Sequence, residues 1–277
     1  MSEQDRFVPG VPNWVDLTTP QLQAAQDFYG GLFGWTFDDA GAAPSGGRYL
    51  LARLNGEAVG ALTEGEPVGW NSYVLVDSVD DTAARVRAAG GQVLGEPTDV
   101  EQGRVLAVTD PEGAELRVWE PRGRRGADVV NAHGSVNFND LHTRDRAAAA
   151  AFYGAVFGWR VLDMGGGMSM WALAAYGEHL ERRSPGTRES YASMGGPEGF
   201  EEVVASIAPV DGDDHGAPAH WGVTFAVEDA DASAARAVDL GGQVLAGPVD
   251  APWVRTVVLQ DPQGATFVAS QFVPPSG

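Results

Sequence analysis

The chain contains two copies of one pattern, and this internal repeat limits its possible folds more than any other feature. Phe-Tyr-Gly at 28–30 returns at 152–154, a shift of 124 positions (152 − 28). Gly-Gly-Gln-Val-Leu at 90–94 returns at 241–245, a shift of 151 positions (241 − 90). Because the matches keep their order and include aromatic residues, they predict a duplicated fold.

The repeat divides the 277 residues into two predicted domains. We predict an N-terminal domain at 1–121, an exposed linker rich in Arg, Gly and Pro at 122–132, and a C-terminal domain at 133–277. The second copy carries 27 additional residues (151 − 124) between the two matched blocks. The polar stretch at 177–199 is the expected insertion, either a lid over a binding site or a longer disordered hairpin loop.

Hydrophobic periodicity predicts the same order of elements twice within the first copy. The predicted strands are 13–19, 48–54, 57–62, 71–76, 104–109 and 114–120, and the predicted helices are 20–33 and 79–89. Asn55-Gly56 is a strong signal for a tight hairpin turn between two of these strands. The pattern predicts four βαβββ units in the whole chain, an α+β fold with helices outside curved sheets.

Composition excludes several kinds of chemistry. The chain has no Cys and no Lys, so thiol nucleophiles, thiolate metal sites and lysine Schiff bases are excluded. Its net charge of −20 makes nucleic acid an unexpected partner, because phosphates would be repelled. No apolar run approaches the length of a membrane span, and no signal peptide is recognisable, so we expect a cytoplasmic protein without a membrane partner.

Two motifs point to a known family. Phe-Tyr-Gly-x-x-Phe-Gly-Trp ends the first helix of each copy, and Asp-Pro-x-Gly precedes each final strand at 110–113 and 261–264. This arrangement resembles the vicinal oxygen chelate superfamily, which includes glyoxalase I, extradiol dioxygenases and bleomycin-resistance proteins. More narrowly, it resembles the two-domain actinobacterial CFP30B-like group and DnrV-type proteins. The resemblance implies two tandem glyoxalase-like domains and a role in secondary metabolism or antibiotic resistance.

The resemblance also implies where a metal would be bound, on the first and last strands of paired units. In the first copy these positions hold Trp14, Asn71 and Arg117. In the second copy they hold Phe138, Gly222 and Val268. Aromatic and aliphatic side chains offer no ligand atom and Arg does not ligate, so we expect neither a metal nor another cofactor.

Strand alternation predicts which side chains line the two cups of such a fold. The predicted ligand-binding residues are Trp14, Asp16, Asn71, Arg117, Trp119, Phe138, Trp171 and His220. Asp140 and His142, two apart on one strand, are the predicted general acid/base pair, or else structural polar residues. Asp16 and Arg117 are either a buried ion pair or ligand contacts.

These residues support three functions of different kinds. The first is a metal-free protein that binds a hydrophobic or aromatic metabolite, for sequestration, resistance or as an accessory in biosynthesis. The second is a metal-independent tailoring or detoxifying enzyme that transfers protons on a bound carbonyl compound. The third is an interaction protein with filled cups. Aromatic walls with few polar groups are typical of small-molecule sites, which favours the first. Either a monomer or a homodimer is compatible with the sequence.

Overall fold

Four copies of one module, a strand followed by a helix and three further strands, make up the fold. The computed structural model describes residues 3–43, 46–165, 167–210 and 218–274. The first module consists of β1 (Pro12–Thr19), α1 (Leu22–Phe33), β2 (Thr36–Ala42), β3 (Arg48–Leu54) and β4 (Glu57–Glu64). The second consists of β5 (Gly69–Leu75), α2 (Val79–Ala88), β6 (Gln92–Val100), β7 (Gly103–Thr109) and β8 (Glu115–Pro121).

The second half of the chain repeats this order with an insertion. The third module consists of β9 (Val136–Thr143), α3 (Arg146–Phe157), β10 (Arg160–Gly165), β11 (Met168–Ala172), α4 (Ala174–Arg183), α5 (Thr187–Ser193) and β12 (Val203–Pro209). The fourth consists of β13 (His220–Val227), α6 (Ala230–Asp239), β14 (Gln243–Ala251), β15 (Val254–Gln260) and β16 (Thr266–Phe272). Two short 3-10 helices, Glu3–Arg6 and Phe200–Glu202, complete the described elements.

The strands form two curled eight-stranded sheets, one from each half of the sequence. Their orders are β2-β3-β4-β1-β5-β8-β7-β6 and β10-β11-β12-β9-β13-β16-β15-β14. The first strand of a module runs parallel to the last strand of the same module, as β1 does to β4 and β5 to β8. The predicted α+β fold of four βαβββ modules is confirmed. The division into domains at 122–132 stays a prediction.

The modules pack into two compact units, and each unit draws modules from both halves of the sequence. The first unit contains most of the second and third modules together with the N-terminal segment up to Asn13. The second unit contains most of the first and fourth modules and also the first residues of β5 and β9.

One buried contact in the first unit explains why the repeated motifs are paired. The hydroxyl of Tyr153, in the Phe-Tyr-Gly motif, donates a hydrogen bond of 3.0 Å to Oδ2 of Asp110, in the Asp-Pro-x-Gly turn. A Cβ on Gly91 would lie only 2.6 Å from the ring of Phe152, so the glycine makes room for that ring. The Phe-Tyr-Gly helix of the third module therefore packs on the motifs of the second.

The second unit repeats this contact with the other two modules. Tyr29 donates a hydrogen bond of 3.0 Å to Oδ2 of Asp261. A Cβ on Gly242 would lie 2.8 Å from the ring of Phe28. Both Phe-Tyr-Gly blocks are therefore core packing, and each packs against the Gly-Gly and Asp-Pro-x-Gly motifs of another module.

The insertion is helical, which corrects the alternative of a disordered hairpin loop. Helix α4 begins at Ala174, before the predicted start of the insertion, and α5 follows after a short turn. His179 Nε2 on α4 lies 2.6 Å from the carbonyl oxygen of Asp5, so α4 contacts the N-terminal segment of the same unit. Across the described ranges, no helix has the length and apolar content to span a membrane.

Candidate functional site

A wholly buried carboxylate lies on β1 in the second unit. The exposed fraction of Asp16 is 0%, yet its neighbours supply polar contacts. Asn71 Nδ2 donates a hydrogen bond of 2.7 Å to Oδ1 of Asp16, and the Tyr49 hydroxyl donates one of 3.4 Å to Oδ2. Burial of a carboxylate without such donors would cost several kcal/mol, so these hydrogen bonds stabilise Asp16 in its buried position.

Aromatic side chains continue this network at a half-buried position. The indole Nε1 of Trp14 donates a hydrogen bond of 2.9 Å to the hydroxyl oxygen of Tyr49. Asn71 Nδ2 also donates one of 2.9 Å to Oγ1 of Thr18, two residues beyond Asp16 on the same strand face. We call these five residues, Trp14, Asp16, Thr18, Tyr49 and Asn71, the Asp16 cluster. The cluster combines two aromatic rings with three polar side chains.

A further hydroxyl lies in the same row of paired strands. Thr63 on β4 pairs with Tyr49 on β3 and with Thr18 on β1, so the three side chains share one face. Thr63 is buried, and its Oγ1 has no hydrogen-bond partner among the residues that the structure describes. A further polar side chain therefore lies beside the cluster, buried on the same sheet face.

Arg117 is held by an aromatic partner in the first unit. Its Nη1 donates a hydrogen bond of 2.8 Å to the hydroxyl of Tyr73, and the guanidinium carbon lies 5.5 Å from the centre of that ring. Trp119, two residues on, donates a hydrogen bond of 2.9 Å from Nε1 to the carbonyl of Arg124. Both predicted residues are half-buried with fixed side chains, and the pairing of Asp16 with Arg117 stays a prediction.

Asp140 and His142 lie on one face of β9, as alternation predicted. The hydroxyl of Ser206 on β12 donates a hydrogen bond to Oδ1 of Asp140. The rings of His142 and His220 are stacked, with centres 4.4 Å apart and planes inclined by 5°. His220 Nδ1 lies 3.0 Å from the carbonyl oxygen of Pro218. A carbonyl oxygen only accepts, so Nδ1 is the donor of this hydrogen bond.

Trp171 was predicted to bind a ligand, but the structure buries it in the core. Its exposed fraction is 0%, and its ring centre lies 5.3 Å from Tyr153 and 5.7 Å from Trp159, in the core of the first unit. The neighbouring Met170 instead pairs with Ser206, which in turn pairs with Asp140, so Met170 lies on the Asp140 face. The sequence alone does not show which alternate side chains of β11 face Asp140, and the prediction therefore chose Trp171 where its neighbour Met170 has that orientation.

The carboxyl groups with raised pKa values lie in the module packing and not in these clusters. Burial raises the pKa of Asp110 and of Asp261 above the usual range. Burial, together with the adjacent carboxylate, raises the pKa of Tyr153 and of Tyr29 well above the usual range of tyrosine. Perturbed groups often indicate a functional site, but the packing of the repeated motifs accounts for these four.

Comparison with known proteins identifies the family. The sequence model of the Glyoxalase/Bleomycin resistance protein/Dioxygenase superfamily matches residues 11–118 and 135–268. The chain belongs to this superfamily. The superfamily resemblance and its tandem glyoxalase-like domains are thereby confirmed.

Two relatives in the superfamily match almost their entire length. The protein named "Putative glyoxylase CFP32" of Mycobacterium tuberculosis is 40% identical over 276 residues, which cover 96% of this chain and 97% of the relative. The "Anthracycline biosynthesis protein DnrV" of Streptomyces peucetius is 34% identical over 284 residues, which cover 95% of this chain and 93% of the relative. The resemblance to DnrV is therefore also confirmed.

Solved structures of the superfamily share the fold at low identity. The Mn(II)-bound glyoxalase from Novosphingobium aromaticivorans superposes with a TM-score of 0.61 at 18% identity, over 95% of this chain and 82% of that one. The 2,3-dioxygenase LapB from Pseudomonas sp. KL28 superposes with a TM-score of 0.58 at 15% identity, over 97% of this chain and 95% of that one. These likenesses support the fold.

The residues of this chain do not fit the metal that the superfamily implies. Trp14 and Asn71 at two of the expected ligand positions are committed to hydrogen bonds with Tyr49, Asp16 and Thr18. Within the described part of the chain, no group of three or more His, Asp or Glu residues could hold a metal ion.

The stacked histidines also do not form a metal-binding pair in this arrangement. An imidazole nitrogen binds a metal in the plane of its ring, and the planes of His142 and His220 are separate and nearly parallel. Their nitrogen lone pairs therefore cannot converge on one ion without rotation of a ring.

Sequence reasoning missed three residues that contact the predicted ones, namely Tyr49, Tyr73 and Ser206. Tyr49 and Tyr73 lie on strands next to predicted residues, and only the pairing of strands shows that their hydroxyls reach Asp16 and Arg117. Alternation within 48–54 places Tyr49 opposite its neighbour Leu50 but does not say which sheet face is the binding face. Phe138 is half-buried on β9, in the second unit.

Proposed function

We propose that this chain binds a hydrophobic or aromatic metabolite without a metal. The observation that carries the proposal is the Asp16 cluster, in which the half-buried Trp14 and Tyr49 rings adjoin a hydrogen-bonded carboxylate. Trp14, Tyr49 and Asn71 donate their hydrogen bonds within the cluster, so its half-buried side chains offer π-faces and the amide oxygen of Asn71. Such a surface suits an uncharged ring system with hydroxyl groups, and the net charge of −20 disfavours anions.

The names of the relatives suggest where such a ligand would come from. One relative is named for anthracycline biosynthesis, and anthracyclines are flat aromatic compounds. We therefore place the role of this chain in secondary metabolism, as a sequestering, resistance or accessory biosynthetic protein.

A metal-independent enzyme is the second candidate, favoured by the Asp140 face. Ser206 donates to one oxygen of Asp140, and His142 is held against His220 on the same side of the sheet. A carboxylate with a positioned imidazole nearby is suited to move a proton on a bound carbonyl compound. Asp140 would be the base, and His142 would be the partner that receives or returns the proton.

Titration calorimetry with 1,8-dihydroxyanthraquinone as the probe tests the first function. We expect binding by protein dialysed against EDTA, and no increase in affinity when Mn²⁺ or Fe²⁺ is added back. We expect Asn71→Ala to weaken binding by about tenfold, because Asp16 and Thr18 each lose a hydrogen bond that holds the cluster in place. Asn137→Ala, which removes an exposed amide that contacts only Asn131 among the bonds described, is the matched control.

The same protein distinguishes the two candidates. Chromatography of the incubated probe should show it unchanged, and Asp140→Asn and His142→Ala should not alter that result. Conversion of the probe by the wild type, lost in both variants, would favour the enzyme. Binding that requires the added metal would contradict the metal-free proposal.

A further inference from the structure

An exposed aromatic ring, Phe272, stacks on the half-buried ring of Trp253 at one end of the fourth module. The rings of Trp253 and Phe272 are nearly parallel, with planes inclined by 16° and centres 6.3 Å apart. The exposed fraction of Phe272 is 63%, and that of Val249 on the neighbouring edge strand is 57%. We call Trp253, Phe272 and Val249 the aromatic platform. Large apolar side chains exposed together are typical of a binding surface.

Strand pairing shows which sheet face carries the platform. Val254 pairs with Phe272, and Val249 pairs with Thr256, so these side chains share one face of β14–β16. The alternate residues of β15, Val257 and Leu259, are buried in the core that includes α6. The platform therefore lies on the face of the sheet opposite α6.

The first copy of the repeat provides an internal comparison at a shift of 151 positions. Thr98 stands where the second copy has Val249, Gln102 where it has Trp253, and Pro121 where it has Phe272. The second copy therefore has two aromatic rings and an exposed aliphatic side chain at positions where the first copy has Gln, Pro and Thr.

The first copy also covers the equivalent place with its own side chain. The ring of Trp119 lies 2.7 Å from where a Cβ on Gly103 would be, so it packs over that glycine. The second copy has Ser270 at the position of Trp119 and Val254 at that of Gly103. The fourth module therefore lacks a ring equivalent to that of Trp119, and the small Ser270 side chain leaves this face of the sheet accessible.

The backbone of Trp253 supports a functional reason for this difference. Trp253 has a φ of +70°, a conformation that bulky residues rarely adopt. The backbone N–H of Val273 donates a hydrogen bond of 2.7 Å to the Trp253 carbonyl and holds the turn in place. A strained residue that presents an aromatic ring is evidence for a function of that ring.

We propose that the aromatic platform is a binding surface for a flat, uncharged aromatic ring system, stacked on Trp253 and Phe272. This rests on the proposed function and adds a second contact surface to it, separate from the Asp16 cluster. A small molecule fits better than a second copy, because another copy brings the same net charge of −20. Asp231 and Asp250, which flank Arg255 in this module, leave no excess of positive charge there.

Calorimetry with 1,8-dihydroxyanthraquinone and two variants tests the platform. Trp253→Gly removes the ring and suits the positive φ, so the turn is preserved, and Phe272→Ala removes the exposed ring. Each should weaken binding by about tenfold or remove one binding equivalent, because a stacked ring is lost with its buried area. Gln102→Gly and Pro121→Ala, the equivalent changes in the first copy, should leave binding unchanged.

The outcomes separate this proposal from the function on which it rests. If the wild type binds the probe and both platform variants bind it equally well, the platform is overturned and the proposed function stands. If the wild type does not bind the probe, both are overturned. If light scattering shows a dimer that Trp253→Gly or Phe272→Ala dissociates, the surface joins two copies and the platform is overturned as a ligand site.

Discussion

A tyrosine hydroxyl and an aspartate carboxylate account for the motifs that most clearly mark the repeat. In the first unit Oδ2 of Asp110 accepts from Tyr153, while Oδ1 accepts from the backbone N–H groups of Glu112 and Ala114. Trp221 Nε1 donates a hydrogen bond of 3.0 Å to the same tyrosine oxygen. Three donors thus converge on the Asp110 carboxyl group, which explains why its burial is tolerated, and Trp221 holds the tyrosine that supplies one of them.

The raised pKa of Asp110 predicts how stability depends on pH. Burial raises the pKa in the folded state above the unfolded value of about 3.9, so the folded chain holds this proton more tightly. The stabilisation is complete below that unfolded value and is lost as pH rises through the raised pKa. The free energy of unfolding of wild type minus that of Asp110→Asn should therefore fall as the pH rises above about 4.

Urea titrations at several pH values in this range measure that difference. Asp261→Asn should behave in the same way, because burial also raises the pKa of Asp261. A difference that rises with pH, in either variant, would show that the carboxyl group is stabilised in its charged form and would contradict the assignment.

At the scale of elements, helix and strand are brought together by glycines without room for a side chain. A Cβ on Gly91 would lie 2.4 Å from the carbonyl oxygen of Thr109 as well as close to Phe152. A Cβ on Gly242 would meet Gln260 and Phe28 in the same way. The Gly-Gly-Gln-Val-Leu block therefore sets the distance between the edge strand and the helix of the partner module.

Substitution of Gly91 or Gly242 should lower the free energy of unfolding, whereas substitution of a glycine with open space around it should not. We expect Gly91→Ala and Gly242→Ala each to lower the free energy of unfolding by about 1–3 kcal/mol, because overpacking displaces a ring or a strand. Gly69→Ala is the matched control, since no atom lies within 4 Å of a Cβ there, and it should change stability by less than about 0.5 kcal/mol. Chemical denaturation of the three variants measures this, and equal effects would contradict it.

Most of the core elements could be predicted from the sequence, whereas the edges could not. The strand at 48–54 and the start of the helix at Val79 match the structure, because buried periodicity and turn residues both mark them. Asn55 and Gly56 both have positive φ, as the predicted hairpin requires. The bounds of β2 and β6 were not predicted, since these edge strands are mostly exposed and lack an alternating pattern.

The candidate site was predicted in part for a related reason. Asp16, Asn71, Asp140 and His142 were found because alternation on a strand orders side chains along one face. Tyr49 and Ser206, which contact Asp16 and Asp140, and Tyr73, which contacts Arg117, depend on which strands are neighbours, and a single sequence does not contain that information. The aromatic platform could have been found by comparing the two copies at a shift of 151 positions, because Trp253 then stands at the position of Gln102.

At the scale of the whole molecule, each compact unit needs both halves of the sequence. The second unit joins the first module to the fourth, and the first unit joins the second module to the third. Neither half of the chain therefore contains both partners of a Tyr–Asp contact. The sequence repeat and the packing of the molecule follow different divisions.

This arrangement predicts the behaviour of separated halves. Residues 1–132 alone should not form a monomer with a cooperative unfolding transition, because α1 would lose the surface that covers Phe28 and Tyr29. Mixing them with residues 133–277 should restore the circular dichroism spectrum and melting temperature of the intact chain. Light scattering and thermal melts test this, and a stable monomeric half would contradict it.

The reciprocal tyrosine–aspartate contacts have a consequence for how such a gene can change. After a duplication, two copies are usually free to drift apart, but here each helix is matched to a turn that the other copy encodes. Positions 29 and 261 therefore form one inherited pair, and positions 153 and 110 form another. Substitutions at one member of a pair will be retained in descendants mainly when the other member changes with it, while surfaces outside the pairs are free to acquire new ligands.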